Sequence, residues 1–155
     1  MFRTITTAGP SWLLASLLVL LCSLSGCDRS IKVSDQDLLQ IQYRELVSLL
    51  ESDKKQGVVL VDTRKAADYD NGHIPSAINI FLPDIVGGDA RLSRAKNIVV
   101  YSNGWSDPIS RAAGKRLMAL GYKNVVDFRG GIEAWRAEGR LLAVNRKPEN
   151  TATEE

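Results

Sequence analysis

The strongest constraint on this chain is a short stretch in which three kinds of local signal follow one another. Ile98-Val99-Val100 is a continuously apolar, β-branched run that reads as a buried strand. A polar loop follows, Tyr101-Ser102-Asn103-Gly104-Trp105-Ser106-Asp107-Pro108. Residues 109–120 then carry Ala112, Ala113, Leu117 and Leu120 at helical spacing. Asp107 is a good N-cap and Pro108 fits a first helical position, so the helix is expected to start there. A strand, a tight loop and a helix N-terminus in this order belong to open α/β sheets, where ligands dock and nucleophiles are mounted at such loops.

The remaining segments repeat that alternation. Val58-Val59-Leu60-Val61 reads as a central parallel strand ending at Asp62-Thr63-Arg64. Residues 65–69 suit one or two helical turns, and Asn71-Gly72 suits a turn. His73-Ile74-Pro75 leads into a short strand over 77–80. Pro83 and Gly87-Gly88 predict loop and broken helix over 81–92. Gly121 is placed to end the helix before it. Residues 124–128 form a further strand, and Gly130-Gly131 turns the chain into a helix over 132–138 that carries Trp135. Upstream, residues 35–52 read as a helix capped by Ser34, with a loose phase around 40–43 that allows a break. Residues 53–57 are its polar, glycine-ended stop. The whole predicts a single α/β domain over 35–144, a central parallel sheet flanked by helices on both faces. The tail, 145–155, is polar and is expected to be flexible.

The first 27 residues are of different material. Arg3 is a short positive region, residues 12–21 are almost unbroken apolar, and Leu24-Ser25-Gly26-Cys27 closes the segment. This is a secretory signal, with an apolar stretch shorter than the roughly 20 residues of a transmembrane helix. Its last four residues resemble the bacterial lipobox. That resemblance implies cleavage after residue 26 and lipidation of Cys27, with residues 27–34 as a tether. Several acyl chains would hold firmly, at about 0.8 kcal/mol per buried CH₂. Asp28 resembles the signal for retention in the inner membrane of Gram-negative bacteria, which implies a domain facing the periplasm. Cys22 leaves with the signal, so the mature domain is expected to hold no reactive thiol, disulfide or thiolate metal site.

Composition excludes some partners. The net charge is +2 and acidic residues are spread throughout, so no footprint for nucleic acid stands out. Arg111, Lys115 and Arg116 read as the wet face of a helix. In the mature domain one histidine and no free thiols would leave only carboxylates for a metal, so neither a metal nor another cofactor is expected.

Three separated signatures, in this order, resemble the rhodanese-like (sulfurtransferase) domain family. Asp62-Thr63-Arg64, Asp68-Tyr69, Gly72-His73-Ile74-Pro75, Ala77 and Asn79 match its first half. The stretch 101–120 stands where the family carries its active-site loop. Gly121-Tyr122, Asn124-Val125 and Gly130-Gly131-Ile132-x-x-Trp135 match its closing segment. The resemblance implies a persulfide cycle, in which a cysteine at the base of the loop takes a sulfane sulfur and passes it to a thiol or cyanide. Loop N–H groups stabilise thiolate, persulfide and anionic substrate.

The position that matches the cysteine is Ser102, and a hydroxyl forms no persulfide. The loop also looks slightly longer than the compact family form. The arginine that helps bind thiosulfate is missing, with Asp107 or Ile109 in its place. Asp107 would accept the N–H bonds an anion would use and would repel that anion. A serine nucleophile needs a base, and the only histidine, His73, looks structural in the family. Asp62 and Arg64 are expected to pair and organise the strand end, with ligand contact as the alternative for Arg64. Trp105 is expected either as an exposed anchor or packed over the pocket, and Trp135 as core. The residues thus favour a non-catalytic, membrane-tethered periplasmic module with a protein partner. The alternative is an enzyme of the sulfurtransferase class with unconventional chemistry, or a loop (Ser102, Asn103, Gly104, Trp105, Ser106, Asp107) that binds a small oxyanion.

Overall fold

The computed structural model describes residues 33–34, 36–52 and 57–145. The expected signal, Cys27, residues 28–32 of the tether, Asp35, the polar stop at 53–56 and tail residues 146–155 lie outside the described residues. The strands are β1 (Leu39–Gln40), β2 (Val58–Asp62), β3 (Ile78–Asn79), β4 (Asn97–Tyr101) and β5 (Val125–Asp127). The helices are α1 (Tyr43–Ser52), α2 (Ala66–Asn71), α3 (Ile109–Ala119) and α4 (Gly131–Ala137). Two 3₁₀ turns, Leu82–Asp84 and Ala90–Leu92, occupy the stretch expected to be broken helix.

The five strands form one sheet in the order β1-β5-β4-β2-β3, and every pair is parallel. The run read as a central strand and the run read as a buried one lie side by side in it: β2 and β4 pair along their whole lengths, from Val58 with Asn97 to Asp62 with Tyr101. Parallel central strands are covered on both faces, which is why neither run alternates polar with apolar. On one face α1 and α4 set Leu46, Ile132 and Trp135 into a core with Leu60, Val99 and Tyr101. On the other, α3 sets Ala113 and Leu117 against Val61, Ile98, Val100 and Val125. Trp135 is buried as expected; its indole N–H donates to the Leu141 carbonyl at 3.0 Å and its edge meets Tyr43. The C-terminus of α3 closes as Gly121 suggested: Gly121 N–H donates to the Met118 carbonyl and Tyr122 N–H to that of Leu117. Those are the two bonds of a Schellman motif.

The expected helix over 35–52 is corrected at its first half. Helix begins only at Tyr43, and residues 39–40 are an edge strand beside Val126 and Asp127. Ser34 caps a turn instead: its Oγ accepts from Gln36 N–H, and Asp37 Oδ2 accepts from Ser34 N–H. The true helix start lies at Gln42, whose N–H donates to Glu45 Oε2 at 2.6 Å. The loose phase around 40–43 marks this boundary. Leu38 fills the space that a side chain at Gly114 of α3 would need. That long-range fit holds β1 in place, and a two-residue strand offers no period to read. Leu38→Ala should therefore lower unfolding stability by about 2–4 kcal/mol in urea titration, although the residue precedes the first regular element.

Candidate functional site

In chain order β2 steps to β3 on one side of the sheet, and β4 steps to β5 on the other. The direction reverses between β2 and β4, and ligands of open α/β sheets bind at the carboxyl ends of the strands at such a switch point. The loop 102–108 stands there, joining β4 to α3. A crevice of about 310 Å³ opens beside it, lined by Arg64, Lys65, Phe81, Pro83, Asn103 and Ile109 among others.

The loop is held from beneath by α4. Ile132 N–H donates to the Ser102 carbonyl at 3.1 Å, and Glu133 N–H to that of Asn103 at 2.8 Å. Two orphan donors of a helix N-terminus thus satisfy two loop carbonyls. The approach requires glycine at Gly131, which has φ +52° and whose Cβ, if present, would overlap the Ser102 carbonyl oxygen. At Gly104 a Cβ would meet only the Glu133 side chain, an exposed and flexible group that can move aside. Ser102 is buried, 1% exposed, and its Oγ has no hydrogen-bond partner among the described residues. Trp105 is half exposed at 50%, and its ring reaches to within 3.4 Å of where a Cβ on Gly130 would stand. It therefore combines exposure with packing over the loop's base.

Asp107 folds its carboxylate back into the loop. Oδ2 accepts from Asn103 N–H at 3.3 Å and Asn103 Nδ2 at 2.9 Å, while Oδ1 accepts from Ile109 N–H at 3.0 Å. The Asp107 side chain thus takes the first helical N–H, but the helix starts one residue later than expected, with Pro108 at the N-cap position. The Asp107 carbonyl accepts from Arg129 Nη1 at 2.7 Å. Arg129 was not foreseen; its only local signal is a cation just before Gly130-Gly131.

Asp62 and Arg64 form the expected buried pair. Arg64 Nη2 reaches Asp62 Oδ2 at 2.6 Å, and Nε reaches Oδ1 at 3.0 Å. Arg64 Nη2 also donates to the Gly72 carbonyl at 2.7 Å, and Nη1 approaches Asn103 Oδ1 at 3.5 Å. Burial alone would lower the guanidinium pKa; the hydrogen bonds and charge of Asp62 outweigh it and hold Arg64 above its ordinary value. His73 has no hydrogen bond to Ser102. Its Nδ1 shares a hydrogen bond with the Tyr69 carbonyl at 2.9 Å, its ring stacks on Tyr69, and its backbone pairs with Ala143. Among the described residues no three of His, Cys, Asp and Glu gather as metal ligands would.

A second polar group beneath the loop was not legible. Asp127 ends β5, is fully buried, and neither of its carboxylate oxygens closes a hydrogen bond within the described residues. Ser110 Oγ, in the first turn of α3, is likewise without a partner. Burial raises the Asp127 pKa, against the opposing influence of Ser110, Arg129 and Arg111. Nothing local in Asn-Val-Val-Asp-Phe says which face the carboxylate takes; its register with Val100 decides that.

The domain defined by this sheet, loop and closing double glycine is matched by the rhodanese-like domain family over residues 42–138, and the chain belongs to that family. It is similar to the thiosulfate sulfurtransferase GlpE of Pseudomonas savastanoi pv. phaseolicola, at 32% identity over 84 residues, covering 54% of this chain and 77% of that protein. A sulfurtransferase of Allochromatium vinosum is 33% identical over 84 residues, again 54% of this chain and 77% of the relative. Among solved structures, the BH2092 protein of Bacillus halodurans superposes with a TM-score of 0.62 at 30% identity, covering 69% of this chain and 77% of that one.

Two outcomes test the site's construction. Gly131→Ala should destabilise the domain by about 2 kcal/mol or more in denaturant titration, through strained backbone and overlap with Ser102. For Asp127 the folded-state pKa lies above that of the unfolded chain, so the folded form binds its proton more tightly. Its contribution therefore falls as pH rises from the ordinary carboxylate value near 4 through the raised one. Asp127→Asn should flatten that fall and be the more stable protein at neutral pH, measured by thermal unfolding across the range.

Proposed function

We propose that this rhodanese-like domain is non-catalytic in persulfide chemistry and serves as a membrane-tethered binding or accessory module on the periplasmic side. Ser102 stands at the base of the loop, where the family resemblance places the sulfur-carrying cysteine. Serine cannot carry a sulfane sulfur, and its hydroxyl ionises far above the roughly 8.5 of a free thiol. The reading is carried by Asp107: its carboxylate takes the N–H groups of Asn103 and Ile109, donors that an anionic substrate would otherwise compete for. The site thus holds an anion of its own. Cys27, the lipobox-like cysteine, would supply the tether and be spent on acylation, and Asp28 argues for retention at the inner membrane. Trp105, half exposed within the loop, is the anchor offered to a protein partner.

A second reading is favoured by the crevice beyond the carboxyl ends of β2 and β4, where Arg64, the exposed Lys65 and Asp68 flank an apolar wall of Phe81, Leu82, Pro83 and Ile109. There the loop would accept a small oxyanion, or a partner's sulfur, as an unconventional member of the sulfurtransferase class.

Thiosulfate:cyanide sulfurtransfer by the detergent-solubilised chain separates the two. The wild type should show no turnover above a heat-inactivated control, and Ser102→Cys should gain measurable activity. Turnover by the wild type would overturn the non-catalytic reading. Silence in both proteins would locate the block at Asp107 and leave partner binding as the function to pursue.

A further inference from the structure

The sheet is wholly parallel, so its two ends differ. The loop 102–108 lies at the carboxyl ends of the strands, whereas Asn97 and Val125 begin β4 and β5 at the other end. Helix α3 connects the two, running about 16 Å at 1.5 Å per residue from the loop to Leu120.

That far end carries an apolar patch. Six large hydrophobic residues are exposed among the described residues, and three of them, Leu39 (64%), Val86 (53%) and Leu120 (42%), collect around Tyr122. The Tyr122 hydroxyl donates to the Val86 carbonyl at 3.0 Å and accepts from Asp89 N–H at 2.8 Å. Leu120 reaches to 3.8 Å from where a Cβ on Gly87 would stand. Leu39 and Tyr122 line one open cavity of about 680 Å³ together with Val33, Asp37, Met118 and Lys123.

Charge and chain length indicate what covers this patch. Arg94, Lys96 and Lys123 are exposed at the starts of β4 and β5 and form no ion pair among the described residues. Of the nearby carboxylates, Asp89 is engaged by Arg91, and Asp37 accepts the Ser34 N–H. Val33 is only six residues beyond Cys27. Fully extended, six residues reach about 20 Å, so a lipid on Cys27 holds this end within that distance of the bilayer.

We propose that the end of the sheet opposite the loop is a membrane-contacting face. Leu39, Val86 and Leu120 meet the interfacial region, and Arg94, Lys96 and Lys123 meet anionic headgroups. Loop 102–107 is thereby turned toward the periplasm, open to a partner. This rests on the lipid tether at Cys27, and the experiment separates the two.

The acylated full chain is reconstituted in vesicles of phosphatidylethanolamine and phosphatidylglycerol that carry a nitroxide-headgroup lipid. Cys27 is the sole cysteine after residue 26, so Leu39→Cys and Ser106→Cys each add one site for an environment-sensitive fluorophore. The label at 39 should shift to the blue and be quenched, and the label at 106 should do neither. Lys96→Glu with Lys123→Glu should weaken quenching at 39, as should raised salt. Equal quenching at both positions, or stronger quenching at 106, would overturn the proposal. Flotation with the vesicles, lost in Cys27→Ser, tests the tether itself: if both proteins float alike, or neither floats, the tether and the face fall together. If only the acylated parent floats and neither label is quenched, the tether stands and the face alone is overturned. A spectral shift at 39 that follows protein density and ignores the quencher would assign the patch to a second copy, which also overturns it.

Discussion

A buried ion pair governs the architecture of the site end. Asp62 is fully buried at the end of a central strand, a position that would be strongly unfavourable for an unpaired carboxylate. Arg64 compensates it with a two-pronged contact and carries its remaining donors to Gly72 and Asn103. Asn79 closes the arrangement from the edge strand by donating to the carbonyls of both Asp62 and Arg64. Four segments distant in sequence therefore meet on one guanidinium and its partner. The same guanidinium is a wall of the crevice, and its charge is largely spent on Asp62.

The loop above this pair is satisfied from within the chain. Its carbonyls receive N–H groups from α4, the N–H groups of Asn103 and of Ile109 at the start of α3 go to Asp107, and Arg129 fastens the Asp107 carbonyl. A loop so arranged keeps the form of an anion-binding turn while supplying its own anion. Family membership alone does not decide activity, because chemistry resides in the site grafted on the fold. At the base of the loop, Ser102, Ser110 and Asp127 bury side-chain polar atoms that close no hydrogen bond among the described residues. That is an expensive arrangement, since buried polar groups are normally satisfied as Asp62 and Arg64 are.

Much of this was legible because it is local. The apolar runs of β2 and β4, the Asp-Pro helix start, the glycine at the end of α3 and the double glycine before α4 each state a backbone preference within a few residues. Asp62 and Arg64 are two residues apart, so their pairing was also within reach. The expected helix over 35–52 failed because its first half depends on a sheet edge supplied by Val126 and Asp127, more than eighty residues away.

The sequence by itself determined the order of strands and helices from β2 onward, the place of the loop, and the presence of serine and aspartate within it. Each of these follows from short-range sterics, capping or the chemistry of a single side chain. Only the tertiary structure decided that Leu38 fits against Gly114, that Gly131 lies on the Ser102 carbonyl, and that the Asp127 carboxylate faces α3. It likewise decided that Arg129 reaches the Asp107 carbonyl. These are contacts between segments brought together by packing, and a buried group's energy depends on the neighbours that packing supplies rather than on the residues beside it in the chain.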